Sequence, residues 1–292
     1  MQSIPDVSAA MAWCRAVRAR GESLGFVPTM GYLHVGHLAL VEQAVKDNDQ
    51  VCVSIFVNPL QFNDPTDLER YPRDLEGDAS KLAGVGCAMA FGGTLEEFFP
   101  GQLNGSGGLV AESMLDPGMG ALGLEGEYRP GHLEGVATIV GRLFEVVEPT
   151  RAYFGAKDFQ QCLVVSDVAE RRGGPEVVVM PTVREESGIA LSSRNARLGE
   201  AGHEQGLFIS RALFAAKELW QQGERHAGVL SRCMHAVLRD SKLDVEYAAV
   251  RNPGHWTLEE PGGALTEAVA LVAAQAEGSN GPVRLIDNLQ LS

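Results

Sequence analysis

The sequence predicts an α/β protein: a Rossmann-like doubly wound parallel sheet, followed by a smaller C-terminal α+β domain. Three observations carry that prediction. Short apolar runs alternate with helical patterns over the first 180 or so residues. The run Val51-Cys-Val-Ser-Ile-Phe-Val57 is too rich in β-branched and apolar residues for a half-exposed strand, so it reads as central and parallel. Beyond Leu198 the order changes to helices and then strands, the α+β pattern. The boundary is expected near residue 180. It divides a larger domain (1–180) from a smaller one (181–292), with the segment Ser192-Ser-Arg-Asn195 at the junction. Ligand sites favour such junctions.

In chain order, residues 6–20 read as an opening helix, and Leu24-Gly-Phe-Val-Pro28 as a buried strand ending in a turn. A helix over about 36–47 carries Leu38, Val41 and Val45 on one face. The strand at 51–57 follows, then a helix over about 75–84 and a strand at 87–91. The glycine-rich segment 101–108 reads as a surface loop. Helix 133–147 places Val136, Val140, Leu143 and Val147 at helical spacing. Next come a strand at 151–155, a helix from Asp158 and a strand at 176–180. Long helices over about 200–222 and 225–240 precede short strands near 244–250, 268–276 and 283–290.

Composition narrows the function. The formal net charge is −14, with Asp and Glu spread along the chain, so nonspecific binding to nucleic acid is not expected. Any bound anion needs a local cluster of positive groups that overrides the global field. The cysteines Cys14, Cys52, Cys87, Cys162 and Cys233 are scattered and lack CxxC spacing, so they read as reduced, buried thiols of a cytoplasmic protein. No secretory signal is visible at the N-terminus, and no apolar stretch reaches the length of a membrane span.

Five motifs carry chemistry. In Pro28-Thr-Met-Gly-Tyr-Leu-His-Val-Gly-His37 a buried strand runs through a turn into a helix start, a ready phosphate site. Gly36 allows close approach of a nucleotide, and His34 and His37 lie on one face of the first turn. A zinc pair or ordinary capping histidines are the alternatives. Phe56-Val-Asn-Pro-Leu-Gln-Phe62 leaves the carboxyl end of a central strand, where open sheets bind ligands. Gln61 can donate and accept there, or the segment is simply a polar strand exit. Arg129-Pro-Gly-His-Leu-Glu-Gly135 is a helix start at which His132 acts as a cap or as lining. Phe154-Gly-Ala-Lys-Asp-Phe-Gln-Gln161 sets Lys157 at a helix start, with Asp158 and Gln161 able to form a capping box. Finally, Ser192-Ser-Arg194 offers hydroxyls beside a forked donor, suited to phosphate but also common in surface loops. The remaining histidines, His203, His226, His235 and His255, fall in no motif.

The HxGH turn in this setting resembles the adenylate-forming nucleotidyltransferases that include class I aminoacyl-tRNA synthetases. The longer string from Phe26 to Val41 resembles the pantothenate synthetase family, as do Pro181-Thr-Val-Arg-Glu185 and the terminal Val283-Arg-Leu-Ile-Asp-Asn288. The likeness is dense to residue 198 and diffuse beyond it, apart from that terminal string. It implies an ATP-dependent ligase that activates pantoate as an acyl-adenylate and joins it to β-alanine, with residues 1–180 binding nucleotide and pantoate. It implies His37 as the catalytic proton donor, and ATP contacts from Met30, Gly31, Tyr32, Leu33, His34, Val35, Gly36 and His37. Further ATP contacts fall on Gly155, Ala156, Lys157, Asp158, Val183, Leu191, Ser192, Ser193 and Arg194. Gln61 and Gln161 fall on pantoate, and residues 63–74 resemble a mobile gate that keeps water from the adenylate. The chain departs from the family at Leu133-Glu134, usually Phe-Asp, and at Ala156, usually Glu.

The expected chemistry is attack of the pantoate carboxylate on the α-phosphorus of Mg-ATP, with His34, His37, Lys157 and Arg194 supplying positive charge. Mg²⁺ is expected as the companion ion, with no ligands assigned on the chain. A homodimer is implied by the resemblance only. Two other readings stay open: a coenzyme-type adenylyltransferase, which keeps the nucleotide on a phosphate acceptor, and an inactive nucleotide-binding regulator. Gln61 and Gln161 favour the ligase, since a phosphate acceptor is better served by extra Arg or Lys.

Overall fold

The computed structural model describes residues 1–63 and 65–292; Asp64, within the expected gate, lies outside the described residues. The chain divides into two compact units, the first comprising residues 1–121, 125–155 and 160–181. Residues 122–124, 156–159 and 182–292 form the second.

The first unit is built on a six-stranded sheet. Its strands are β1 (Gln2–Ile4), β2 (Leu24–Thr29), β3 (Gln50–Ile55), β4 (Met89–Phe91), β5 (Arg151–Gly155) and β6 (Glu176–Met180), in the order β1-β4-β3-β2-β5-β6. Every pairing is parallel. Alternate residues face opposite sides of the sheet, and the two faces bury separate cores. Leu24, Phe26, Cys52, Met89, Phe91, Ala152 and Phe154 pack under α1 (Val7–Ala19), α7 (His132–Val147) and α8 (Phe159–Arg172). Val27, Val51, Val53, Ala90 and Tyr153 pack under α2 (Val35–Asp47) and α4 (Leu75–Gly84). This is the doubly wound sheet that the alternating pattern predicts.

Details differ from the sequence expectation. The central strand ends at Ile55, two residues early, because Phe56 N–H donates to Thr29 O and the chain then turns into a short 3₁₀ segment, Pro59–Gln61. In α2 the buried stripe is Leu40, Val41 and Ala44, while Val45 is 37% exposed. The i, i+1, i+4 spacing of that stripe faces the sheet squarely; Val45 lies one step round the helix. The edge strand β1 was not expected, since a three-residue, mostly exposed strand carries no alternation signal. The same holds for the short helices α3 (Pro65–Glu69), α5 (Leu95–Phe98) and α6 (Glu125–Tyr128). Residues 101–108 form the expected loop, with Asn104 Oδ1 accepting from Ser106 and Gly108 N–H.

β2 pairs with β3 along its whole length, but with β5 only at Gly25–Arg151 and Phe26–Ala152. The chain passes from β2 to β3 on one side and returns on the other as β5, so the gap between β2 and β5 is the topological switch point. Ladder pairing is lost there at the carboxyl ends.

The second unit carries the antiparallel sheet β7 (Asp244–Arg251), β8 (Val269–Ala276) and β9 (Val283–Gln290), in that order. Its core joins Ala212, Leu213 and Ala216 of α9 (Glu200–Gln221), Leu230 and Met234 of α10 (Ala227–Leu238), and Val250, Val272, Ala274 and Leu285 of the strands. Among the described residues no helix is long and apolar enough to cross a membrane.

Gly202 lets α9 approach the end of β8: a Cβ there would stand 1.8 Å from Glu277 O. Gly202→Ala is therefore expected to lower unfolding stability by about 1–3 kcal/mol through overpacking. Urea titration checks this; an unchanged midpoint would show that α9 shifts freely.

Candidate active site

The turn after β2 is held by one buried carboxylate. Asp78 of α4 has no exposed surface, and its oxygens accept from Tyr32 N–H and Leu33 N–H, both at 2.7 Å. Lys81 Nζ donates to Leu33 O at 2.9 Å and lies 3.8 Å from Asp78. Thr29 Oγ1 accepts from Gly31 N–H and donates to Ser54 O. These bonds hold Gly31 and Tyr32 in left-handed conformations, φ +81° and +51°. For tyrosine that conformation is unusual and needs such support. The result is a tight reversal that delivers His34 to the first turn of α2.

His34 is the N-cap of α2, and its Nδ1 accepts from Gly36 N–H at 3.1 Å. His37 reaches back so that its Nδ1 accepts from His34 N–H at 3.3 Å. The rings lie 4.0 Å apart, centroid to centroid. The capping alternative is therefore realised, and it does not compete with function. An Nδ1 that accepts places the ring proton on Nε2, so each ring presents an N–H donor while it caps. Val35, between them, is 65% exposed, so its side chain contributes little to packing.

Gln61 is buried at the carboxyl end of β3 and is gripped on all sides. Its Nε2 donates to Met30 Sδ at 3.1 Å, and its Oε1 accepts from Asn58 Nδ2 at 3.1 Å. Its backbone O accepts from His132 Nδ1 at 2.8 Å and from Arg129 at 3.3 Å. Arg129 also donates to His132 Nε2 at 2.9 Å and lies 3.8 Å from the buried Glu125. His132 is the first residue of α7, and the N-cap is Gly131, which makes no side-chain cap bond. The third motif is thus a support for Gln61 rather than a cap. Gly135 completes it, since a Cβ there would stand 2.2 Å from Leu60 O. In the gate segment, Tyr71 is buried and packs edge-on against Phe62 at 5.7 Å.

Gly155 closes β5, and Gln161 is half-buried in the first turn of α8. The neighbouring Gln160 is fully buried; its Oε1 accepts from Glu125 N–H at 2.8 Å and its Nε2 donates to Gly120 O at 3.0 Å.

In the second unit, Lys157 Nζ lies 3.8 Å from Asp158 Oδ1. Ala156 O and Lys157 O both accept from Asn288 Nδ2, each at 2.8 Å. Residues 183–191 form a hairpin: Leu191 N–H donates to Val183 O, Arg184 bridges Ala190, and Glu185 N–H donates to Ile189 O. Ser192 Oγ then caps a 3₁₀ turn, Ser193–Arg197, by accepting from Arg194 N–H at 3.2 Å. Ser193 is buried. Arg184 forks onto the buried Asp287 at 2.5 and 3.0 Å. Burial pushes the Asp287 carboxyl above its ordinary range, and the guanidinium pulls against that push. His203, outside every motif, hydrogen-bonds through Nε2 to Glu185 at 2.8 Å.

Sequence reasoning missed the supports: Asp78, Asn58, Arg129, Gln160, Arg184 and Asn288. Asp78, Gln160, Arg184 and Asn288 act across long sequence separations, which no periodicity or local spacing signals. All but Asp78 stood inside quoted strings; what the sequence did not show was their partners. All the cysteines are free thiols; Cys14, Cys52, Cys87 and Cys162 are buried, and burial pushes the Cys87 thiol up to about 11.

The sequence profile described as Pantoate-beta-alanine ligase matches residues 2–290. A pantothenate synthetase of Gluconobacter oxydans (strain 621H) is 43% identical over 279 residues, covering 95% of this chain and 96% of that one. A crystal structure of the pantothenate synthetase of Thermus thermophilus superposes with TM-score 0.87 at 42% identity, covering 100% of this chain and 99% of that one. A pantoate-beta-alanine ligase from Francisella tularensis, complexed with beta-gamma ATP and beta-alanine, superposes with TM-score 0.75 at 28% identity, covering 100% and 98%.

Asp78→Ala strands the buried N–H groups of Tyr32 and Leu33, and each stranded donor costs about 1–3 kcal/mol. Denaturant unfolding of the variant is expected to show a loss of at least about 2 kcal/mol. Wild-type stability would mean the turn holds itself without the carboxylate.

Proposed function

The chain belongs to the pantoate-beta-alanine ligase family, and on that premise we propose how its residues carry the reaction. It is an ATP-dependent ligase that condenses pantoate with β-alanine to give pantothenate. A pantoate carboxylate oxygen attacks the α-phosphorus of ATP, the bond to the β-phosphate breaks, and pyrophosphate leaves. The product is pantoyl-adenylate. The neutral amine of β-alanine then attacks the acyl carbon, loses a proton and expels AMP.

The observation that supports this reading best is the paired histidine cap at the start of α2, set at the carboxyl end of β2 where β2 and β5 part. The N–H groups of a helix start and two Nε2–H donors suit phosphate oxygens. His37, with His34 beside it, stabilises charge as pyrophosphate leaves. Gln61, fixed by Asn58, Met30 and the His132–Arg129 pair, presents its amide to pantoate hydroxyls, with Gln161 as a second amide. Lys157 and Arg194 bind phosphate oxygens. The glycine and backbone groups at Met30, Gly31, Tyr32, Leu33, Val35, Gly36, Gly155, Ala156, Asp158, Val183, Leu191, Ser192 and Ser193 surround the rest of ATP. On this reading residues 1–180 bind pantoate and nucleotide, and 181–292 contribute the hairpin and its 3₁₀ turn.

Mg²⁺ belongs to the proposal as the companion of ATP. No protein ligand is assigned to it; bound with ATP, the ion would offset phosphate charge. A homodimer and a cytoplasmic setting are likewise part of the reading. The edge strand β6, with Val177 and Val178 half-buried and Val179 45% exposed, is the surface proposed for pairing with a second copy.

AMP release from ATP is expected to require both pantoate and β-alanine, with pantothenate as the co-product by mass. A stable dinucleotide product would instead establish the adenylyltransferase. His37→Ala is expected to lower kcat by about 100–1000-fold with the fold retained. Near-normal turnover would remove His37 from the mechanism.

A further inference from the structure

We propose that Asn288 is the positioning residue of Lys157, and that Asp287 and Asn288 together tie the Lys157 segment to the 183–191 hairpin. The inference rests on the reading of Lys157 as a phosphate contact.

Consecutive residues of a strand face opposite sides. Along β9 burial alternates through Val283, Arg284, Leu285 and Ile286, then Asp287 and Asn288 are both buried. On one side Asp287 receives the Arg184 fork, and Arg184 also donates to Gly188 O and Asn288 O, both at 3.0 Å. This fixes the hairpin that leads to Ser192 and Arg194. On the other side the Asn288 amide donates its two hydrogens to Ala156 O and Lys157 O. Asn288 N–H is itself held by Asp287 Oδ1 at 2.7 Å.

Those two carbonyls belong to the peptide planes on either side of the Lys157 Cα. A peptide unit is rigid, so fixing both planes fixes φ and ψ of residue 157. The direction in which the Lys157 Cα–Cβ bond leaves the backbone follows. Loop segments after a strand do not otherwise hold a side chain so firmly, and reaction rates fall steeply with misplacement of a charged group. A single strand end, 131 residues away in sequence, therefore orients the lysine and anchors the arginine-bearing loop. It also gives the terminal Asp-Asn pair a task that its place at the edge of a small sheet does not suggest.

The full-length enzyme is assayed for ATP-dependent AMP formation as wild type, Lys157→Ala, Asn288→Ala, Asn288→Asp and the Lys157→Ala/Asn288→Ala double variant, with thermal midpoints for each. Asn288→Ala is expected to lower kcat/KM for ATP by about 10–100-fold. Asn288→Asp, nearly isosteric, is expected to be worse, because a carboxylate oxygen then faces two carbonyl oxygens. In the Lys157→Ala background the loss of Asn288 is expected to change kcat/KM by less than about threefold, since contacting partners are not additive. A full multiplicative loss in that background overturns the positioning role while leaving Lys157 in place. Wild-type kinetics of Lys157→Ala overturn the assignment of Lys157 and this inference with it. If Asn288→Ala does not fold, Asn288→Asp serves in the cycle; failure of both to fold makes Asn288 structural and overturns the proposal.

Discussion

Two parallel strands that begin as neighbours and then part set the terms for the functional face of the first unit. β2 and β5 share ladder pairing only at Gly25–Arg151 and Phe26–Ala152. Beyond those pairs their carboxyl ends carry, respectively, the turn into α2 and the Gly155 exit. A ladder maintained to the strand ends would close this space with side chains. On the proposed reading, an anion meets the start of α2 where that pairing is lost.

Keeping such an opening in shape costs conformational freedom, and buried polar struts offset that cost. Asp78 accepts from two successive N–H groups of the turn. Arg129, just before α7, and His132, its first residue, grip the Gln61 carbonyl, and Gly135 lets that helix come close enough to do so. Asp287 and Arg184 do the same for the hairpin of the second unit. In a chain of net charge −14, several acidic groups thus work inward on backbone and arginine partners. On the proposed reading it is the donors His34, His37, Lys157 and Arg194 that meet the polyanion. Fixed dipoles and charges of this kind stabilise a developing charge without having to reorganise when it appears.

Capping and catalysis share the same imidazoles in that reading. His34 and His37 use Nδ1 to satisfy the first N–H groups of α2, which orients both rings and fixes their tautomer. A lysine in either place could not accept those bonds. On that reading the HxGH spacing serves helix initiation through Nδ1 and phosphate recognition through Nε2 of the same two rings.

The fold class and the order of the main strands and helices were legible in the chain, because periodicity and strand–turn–helix motifs are local properties; the nucleotide contacts were proposed from resemblance. The β-branched run at 51–57 announced a central strand, and the string through His37 announced a helix start. The supports were not legible. Asp78 lies 46 residues from Tyr32, and Asn288 lies 131 from Lys157. Asp78 looks like any other polar residue on a helix, and Asn288, though within the family-like terminal string, carried no sign of its partner. The sequence by itself determined which groups could do the chemistry. Only the tertiary structure decided which groups hold them still, because a hydrogen bond across a fold depends on where two distant segments are packed, and that is settled by the core as a whole.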